Sequence, residues 1–202
     1  MDALLASGPM EFWYEFASTY SYLAAMRVEE ECGRAGVRVE YKPFLLGPIF
    51  TELLGIKDSP FNVEPVRGRY MWRDLERLCE KHAIPWRRPS VFPRPTVLAA
   101  RVALGSGPAI AKVTRAIFTA NFGDDLDISD PDVLRKIVAS AGGDGEGALA
   151  LAQTAEVKAQ LRANTAEAQR LGVFGAPDFV VGSELFFGQD RMEDAIAWAQ
   201  RT

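Results

Sequence analysis

The chain is expected to fold as an α/β domain: a four-stranded mixed sheet, built βαβ…ββα, interrupted by a large all-helical insertion. Three observations predict this. An aromatic strand near the start leads into a helix and then an alternating strand. Near the end, Ala176-Pro177 runs into the apolar Phe179-Val-Val, a tight turn and a second short strand. Between them, nothing from residue 66 to 171 reads as a strand.

The elements follow in order. Residues 1–9 carry no Lys or Arg and too short an apolar run for a signal peptide, so they read as a disordered extension. Glu11-Phe-Trp-Tyr-Glu-Phe has the aromatic content of a buried strand. A helix is expected from about Thr19 to Cys32, with Ser18 as N-cap by residue type and Gly33 and Gly36 as its stop. Val37-Arg-Val-Glu-Tyr-Lys alternates apolar and polar, a half-buried strand that closes a right-handed βαβ unit. Phe44 to Pro65 reads as loop, punctuated by Gly47-Pro48, Gly55, Ser59-Pro60 and Pro65.

Tyr70 to Lys81 is amphipathic helix, and the four prolines from Pro85 to Pro95 forbid regular structure. Helical patterns then cover about Thr96–Leu104, Pro108–Phe122 and Asp130–Ala141, the last with Asp130 as N-cap and Pro131 at its first position. Two more cover Gly147–Ala152 and Ala155–Leu171. Pro177 cannot donate to a ladder, so it belongs at a strand start or on an edge. An X-Pro bond in such a tight turn is where a cis peptide is useful. Gly182-Ser183 turns the chain, Glu184 to Phe187 returns, and Gly188-Gln189-Asp190 opens the last helix. Pro-strand-hairpin-helix is the closing half of a thioredoxin-like domain. Residues 10–44 and 172–202 are assigned to that domain and residues 45–171 to the insertion.

Composition excludes several function classes. A net charge of −4 gives no support for nucleic-acid or membrane-surface binding. No apolar run approaches the roughly 20 residues of a membrane helix. One histidine, His82, and two distant cysteines, Cys32 and Cys79, make no metal cluster and no disulfide framework. Reduced thiols point to the cytoplasm.

In a thioredoxin-like fold the reactive group sits where the first strand feeds the first helix. That tip reads Ser18-Thr19-Tyr20-Ser21, the spacing of a redox CxxC with hydroxyls for both sulfurs. A Ser-x-x-Ser pair forms no disulfide, which excludes a thiol oxidoreductase. A hydroxyl at a helix N-terminus donates instead to an anion, and a thiolate is one such anion. By residue type alone, Ser18 and Asp190 are also helix caps, Asn62 a turn residue and Arg67 a solvated charge.

Phe16-Ala-Ser-Thr-Tyr-Ser-Tyr-Leu-Ala, Gly68-Arg-Tyr-Met-Trp-Arg-Asp-Leu-Glu-Arg, and Gly172-Val-Phe-Gly-Ala-Pro with Phe186-Phe-Gly-Gln-Asp-Arg together resemble the 2-hydroxychromene-2-carboxylate isomerase family, relatives of kappa-class glutathione transferases. The resemblance covers nearly the whole chain from Met10. It implies glutathione as cofactor, a small aromatic substrate and a homodimer. It assigns Ser18 to the glutathione sulfur, and Asn62 and Arg67 to a loop reaching over glutathione. It assigns Ala176, before Pro177, to the cysteinyl backbone, and Gln189 and Asp190 to the γ-glutamyl group. The family has proline where Thr19 stands and commonly asparagine, toward the substrate, where Pro95 stands. Residues 100–122 also carry more apolar positions than one helix face buries, an expected dimer surface. The expected activity is isomerisation by reversible thiolate addition. The alternatives are a glutathione transferase, or a non-catalytic binding module in which Ser18 is only a cap.

Overall fold

The computed structural model describes residues 9–201, so the extension expected over residues 1–9 lies outside the described residues apart from Pro9. The strands are β1 (Met10–Tyr14), β2 (Val39–Pro43), β3 (Asp178–Val181) and β4 (Glu184–Phe187). The helices are α1 (Thr19–Ala35), α2 (Leu46–Leu54), α3 (Pro60–Val63), α4 (Pro65–Lys81), α5 (Val97–Gly105), α6 (Ile110–Phe122), α7 (Pro131–Ser140), α8 (Gly145–Ala152), α9 (Ala155–Arg170) and α10 (Met192–Ala199). The sheet order is β2-β1-β3-β4, with β1/β2 parallel and the other two pairs antiparallel. This is the expected thioredoxin-like sheet with an all-helical insertion.

Register sorts the strand side chains between two cores. Phe12 opposes Tyr41 on β2 and Phe179 on β3. Phe12, Tyr14 and Phe179 belong to the main buried cluster, which also takes Tyr22, Leu23 and Val28 of α1 and Ile117 and Phe118 of α6. Trp13 and Val180, one residue along, belong to a smaller cluster with Phe44, Ile49, Ala168 and Val173. A one-residue slip would exchange these sets.

The stretch from Phe44 to Pro65, expected as loop, holds α2, α3 and the start of α4. Its punctuation marks helix ends. Pro48 lies in the first turn of α2, and Pro60 and Pro65 open α3 and α4, where a missing N–H costs no intrahelical bond. Gly55 closes α2 with φ 65°. The expected stop of α1 at Gly33 is also corrected. The helix runs to Ala35, and only Gly36, at φ 70°, has the left-handed backbone that ends it. Pro177 stands just before β3, and the Ala176–Pro177 and Phe92–Pro93 bonds are cis. Gly188-Gln189-Asp190 leads into a single 3₁₀ turn, Gln189–Arg191, and α10 begins after it. The apolar surplus in residues 100–122 is consumed inside the chain. Val102, Ala103, Val113, Ile117, Phe118 and Phe122 are all in the main core, so the surplus marks no partner surface.

One buried group runs against the pattern. Asp178 opens β3 with no exposure, opposite Trp13 and Phe187, and neither carboxyl oxygen has a partner among the described residues. Burial pushes its pKa up to about 8. The unfolded chain releases this proton near the ordinary carboxylate pKa of about 4, while the folded chain keeps it to about 8. Stability from this group is therefore complete below about pH 4 and falls as pH rises toward 8, by up to about 1.4 kcal/mol per unit. Denaturant titrations at pH 5 and pH 8 should show this loss in the natural chain. In Asp178→Asn the difference between the two pH values should shrink, because the amide does not ionise.

Candidate active site

The first strand ends in a turn that presents Ser18. Its amide donates to the Glu15 carbonyl at 2.9 Å. Ser18 has extended backbone, φ −82° and ψ 119°, and its Oγ accepts the Ser21 N–H at 3.1 Å, so it caps α1. The same Oγ donates to the Ala176 carbonyl at 2.9 Å. One hydroxyl thus closes the helix tip and ties it to the segment before β3. Threonine in place of proline leaves this turn intact: α1 begins at Thr19 with Ser18 as its cap. Ser21 is fully buried, so the second hydroxyl of the Ser-x-x-Ser pair is out of reach of solvent.

Two devices hold the turn from behind. Glu15 is only 4% exposed; its carboxylate accepts the Leu46 N–H at 3.0 Å and the Ala17 N–H at 3.4 Å. Leu45, the N-cap of α2, has no side-chain oxygen, so Glu15 caps α2 from another element. Burial raises the Glu15 pKa, against the lowering by its Thr96 and backbone donors. On the other side, Asn121 donates to the Phe16 carbonyl at 3.0 Å and accepts from Arg94 at 2.8 Å. The Arg94 guanidinium also pairs with Asp125, whose carboxyl is held down to about 2 by the Ser90 N–H and by Arg94.

Between these parts lies a cavity of about 670 Å³. Ser18, Ala176 and Glu15 line it, together with Phe50 of α2, Phe61 of α3 and Phe92. The roof is seated closely. A Cβ at Gly68 of α4 would overlap the Phe61 carbonyl, so only glycine lets α3 lie this near. Asn62 ties the roof down by donating to the Phe92 carbonyl at 3.2 Å and to Asp58 at 3.0 Å. Phe174 and Phe187 flank the mouth, ring centroids 4.5 Å apart and both about half exposed. Lys57 and Arg67 supply positive charge, Arg67 paired with Glu64 at 3.3 Å.

Of the residues singled out from sequence, Ser18, Arg67 and Ala176 line this cavity. Asn62, in α3, lies outside the lining, and Pro177, Gln189 and Asp190, around β3 and the turn before α10, lie outside it as well. These last three sit together, because the Gly188 N–H donates to the Pro177 carbonyl at 2.9 Å. Gln189 accepts from Arg27 at 3.3 Å, and Asp190 is exposed. Tyr20 also lines the cavity. Trp72 does not; it packs on Trp86 and Phe92.

Sequence reasoning missed Glu15, Arg94 and the Phe174–Phe187 pair. Glu15 had a readable signal, since it shares the strand parity of Trp13 and so places a charge at an inward position. Arg94, among four prolines, gave none.

The fold and tip define a thioredoxin-like protein whose first helix begins with a hydroxyl set over a pre-proline carbonyl. The chain belongs to the DsbA-like thioredoxin domain family, whose model matches residues 10–196. It is similar to 2-hydroxychromene-2-carboxylate isomerase of Sphingobium xenophagum, 29% identical over 186 residues, covering 91% of this chain and 94% of that protein. It is also similar to glutathione S-transferase kappa 1 of Homo sapiens, 28% identical over 203 residues, covering 91% of this chain and 87% of that protein. Among solved structures, a 2-hydroxychromene-2-carboxylate isomerase superposes with a TM-score of 0.86 at 20% identity, covering 96% of this chain and 95% of that one. The cytosolic disulfide reductase DsbM of Pseudomonas aeruginosa, with glutathione, gives 0.68 at 17%, covering 96% and 98%. Both superpositions speak for the fold.

Gly175 gives a test of the mouth. A Cβ there would overlap the outer edge of the half-exposed Phe187 ring, so Gly175→Ala should push the ring toward solvent and cost no more than about 1 kcal/mol. Phe187→Leu in the same chain should recover much of that loss. Melting curves of the two single variants and the double variant should therefore be non-additive.

Proposed function

We propose that the protein is a glutathione-dependent isomerase acting on 2-hydroxychromene-2-carboxylate or a related aromatic-degradation intermediate. One observation carries the reading: the Ser18 hydroxyl, at the N-terminus of a 17-residue helix, meets the Ala176 carbonyl beside a largely apolar cavity. That pair offers a tripeptide thiol two anchors: a donor and helix dipole for its sulfur, and a carbonyl for its cysteinyl N–H.

In this reading glutathione lies along residues 174–177 as an added strand. Ser18 donates to the sulfur and holds it as thiolate, the nucleophilic form. Arg67 grips a glutathione carboxylate, and Asn62 keeps the roof over the tripeptide through Phe92. Pro177 shapes the backbone that Ala176 presents. Gln189 and Asp190, tied to Pro177 through Gly188, take the γ-glutamyl group, with Asp190 facing its ammonium. The apolar, aromatic part of the cavity takes the second substrate. The thiolate adds to the conjugated system, a double bond becomes single and rotates, and glutathione leaves unchanged. The buried free thiols Cys32 and Cys79, raised by burial to about 12, suit a reduced cytoplasm. Assembly as a homodimer is part of the reading through the family resemblance alone.

A transferase reading has the support of the kappa-class relative, 28% identical against 29% for the isomerase. The two differ in the fate of glutathione. With catalytic glutathione and 2-hydroxychromene-2-carboxylate, the spectrum of the substrate should change while glutathione is fully recovered. Stoichiometric glutathione loss with an accumulating adduct would favour the transferase. No binding at millimolar glutathione would leave a non-catalytic module. Ser18→Ala should raise the pKa of the bound thiol by roughly one to two units and lower the rate near neutral pH about tenfold to a hundredfold. A lower melting temperature with an unchanged pH–rate profile would make Ser18 a cap and nothing more.

A further inference from the structure

The Ser18 hydroxyl has a single proton, and that proton is already engaged. Oγ accepts the Ser21 N–H at 3.1 Å and donates to the Ala176 carbonyl at 2.9 Å. A hydroxyl carries one donor and two acceptor sites. To donate to a bound sulfur anion, it must turn away from Ala176. That would strand a carbonyl in a partly buried place, which costs about 1–3 kcal/mol unless another donor replaces the hydroxyl. Ala176 lines the cavity, so a ligand donor can reach its segment. Pro177, the next residue, has no N–H to offer, and the Gly188 N–H is spent on the Pro177 carbonyl. Water in the open cavity can serve while the site is empty, but a ligand that seats its sulfur beside Ser18 displaces that water and has to supply the donor itself.

We propose that the Ser18 proton is handed from the Ala176 carbonyl to the ligand sulfur only when a ligand backbone N–H takes its place on that carbonyl. This rests on the glutathione reading and adds a condition to it. The Ser18 proton stays on Oγ throughout; only its acceptor changes, and the thiol proton leaves to solvent. A thiolate is the stronger acceptor, because hydrogen bonds to ions are roughly twice as strong as neutral ones. The exchange is therefore favourable once the carbonyl is satisfied. Its consequence is selectivity. A simple thiol entering the cavity finds the donor already engaged, whereas a thiol carrying a correctly placed amide releases the donor as it binds. The site discriminates peptide thiols by activating them, beyond binding them.

The chain contains one Ala-Pro bond, so a label on alanine carbonyl carbon and proline nitrogen isolates the Ala176 carbonyl signal in an NMR spectrum. With the intact natural chain, saturating glutathione should leave this carbonyl shift nearly unchanged, one donor replacing another. In Ser18→Ala the free carbonyl starts without the hydroxyl and should move strongly on binding. The second arm uses a glutathione analogue with an ester in place of the γ-glutamyl–cysteine amide, which lacks the donor. With glutathione, Ser18→Ala should raise the bound-thiol pKa by about one unit or more; with the ester it should change it little. Equal carbonyl movement in both proteins would mean that Ser18 stays on Ala176, and would overturn the hand-off while leaving glutathione binding standing. An equal Ser18 effect on both thiols would do the same. If the ester does not bind, the carbonyl shift alone decides. Absence of glutathione binding to the natural chain would remove the functional reading and the hand-off together.

Discussion

The pairing of β1 with β3 is the constraint on which the site depends. These strands come from opposite ends of the chain, and their register, Phe12 against Phe179 and Trp13 against Asp178, fixes where each strand stops. Beyond the last pair, β1 turns into Ser18 and the chain before β3 supplies Ala176. The two meet at 2.9 Å although they lie 158 residues apart. Phe12 packs on Phe179 at 5.5 Å and on Tyr14 at 4.9 Å, so the register is held by ring packing as well as by the ladder. Shifting the strands by one residue would expel Phe12 from the main core and separate the serine from its carbonyl. The chemistry of the tip is thus a product of core packing.

The same constraint explains what could be read from sequence. The strands, α1, the Ser18 cap and the Pro177 position were legible because local rules decide them: aromatic content, alternation, cap residue type and the missing proline donor. The region from Phe44 to Pro65 was misread because the same residues that break helices also begin and end them. Pro48 could not be recognised as a first-turn residue without knowing that Glu15, distant in sequence, caps α2, whereas Ser59-Pro60 carried a local signal, a serine N-cap followed by a first-position proline. The cavity itself was not legible, since its walls come from α2, α3, residues 92–96 and the segment before β3. Asn62 shows the limit for single residues. Its amide reaches Phe92 and Asp58, a contact that no motif announces.

Charge is distributed around the site with a clear division. Positive side chains at the cavity are either committed, as Arg94 is to Asp125 and Asn121, or held near the surface, as Lys57 and Arg67 are. The committed cation stiffens a wall; of the surface cations, Arg67 is held only by an exposed pair with Glu64, which an incoming anion can replace. Glu15 lines the cavity too, but its oxygens face the Leu46 and Ala17 amides. Its charge is thereby balanced by backbone donors, which limits its repulsion of an anion near Ser18. A carboxylate beside a proposed thiolate site is tolerable on those terms.

Replacing sulfur by oxygen at the helix tip changes the chemistry while keeping the geometry. A thiol at position 18 would combine two abilities, attack on a disulfide and donation to a neighbour. A hydroxyl retains only donation, and its ordinary pKa prevents it from becoming the nucleophile without a base. No histidine stands near to act as one: His82, the sole histidine of the chain, is the C-cap of α4. In the proposed reading the nucleophile is brought in, and what the protein supplies is a place where an incoming thiol ionises. On that reading the helix N-terminus and the Ser18 proton serve that purpose, and neither would be altered by turnover. A protein organised in this way gains reactivity from its ligand and can return the ligand intact, which is the condition for a thiol to act as cofactor instead of substrate.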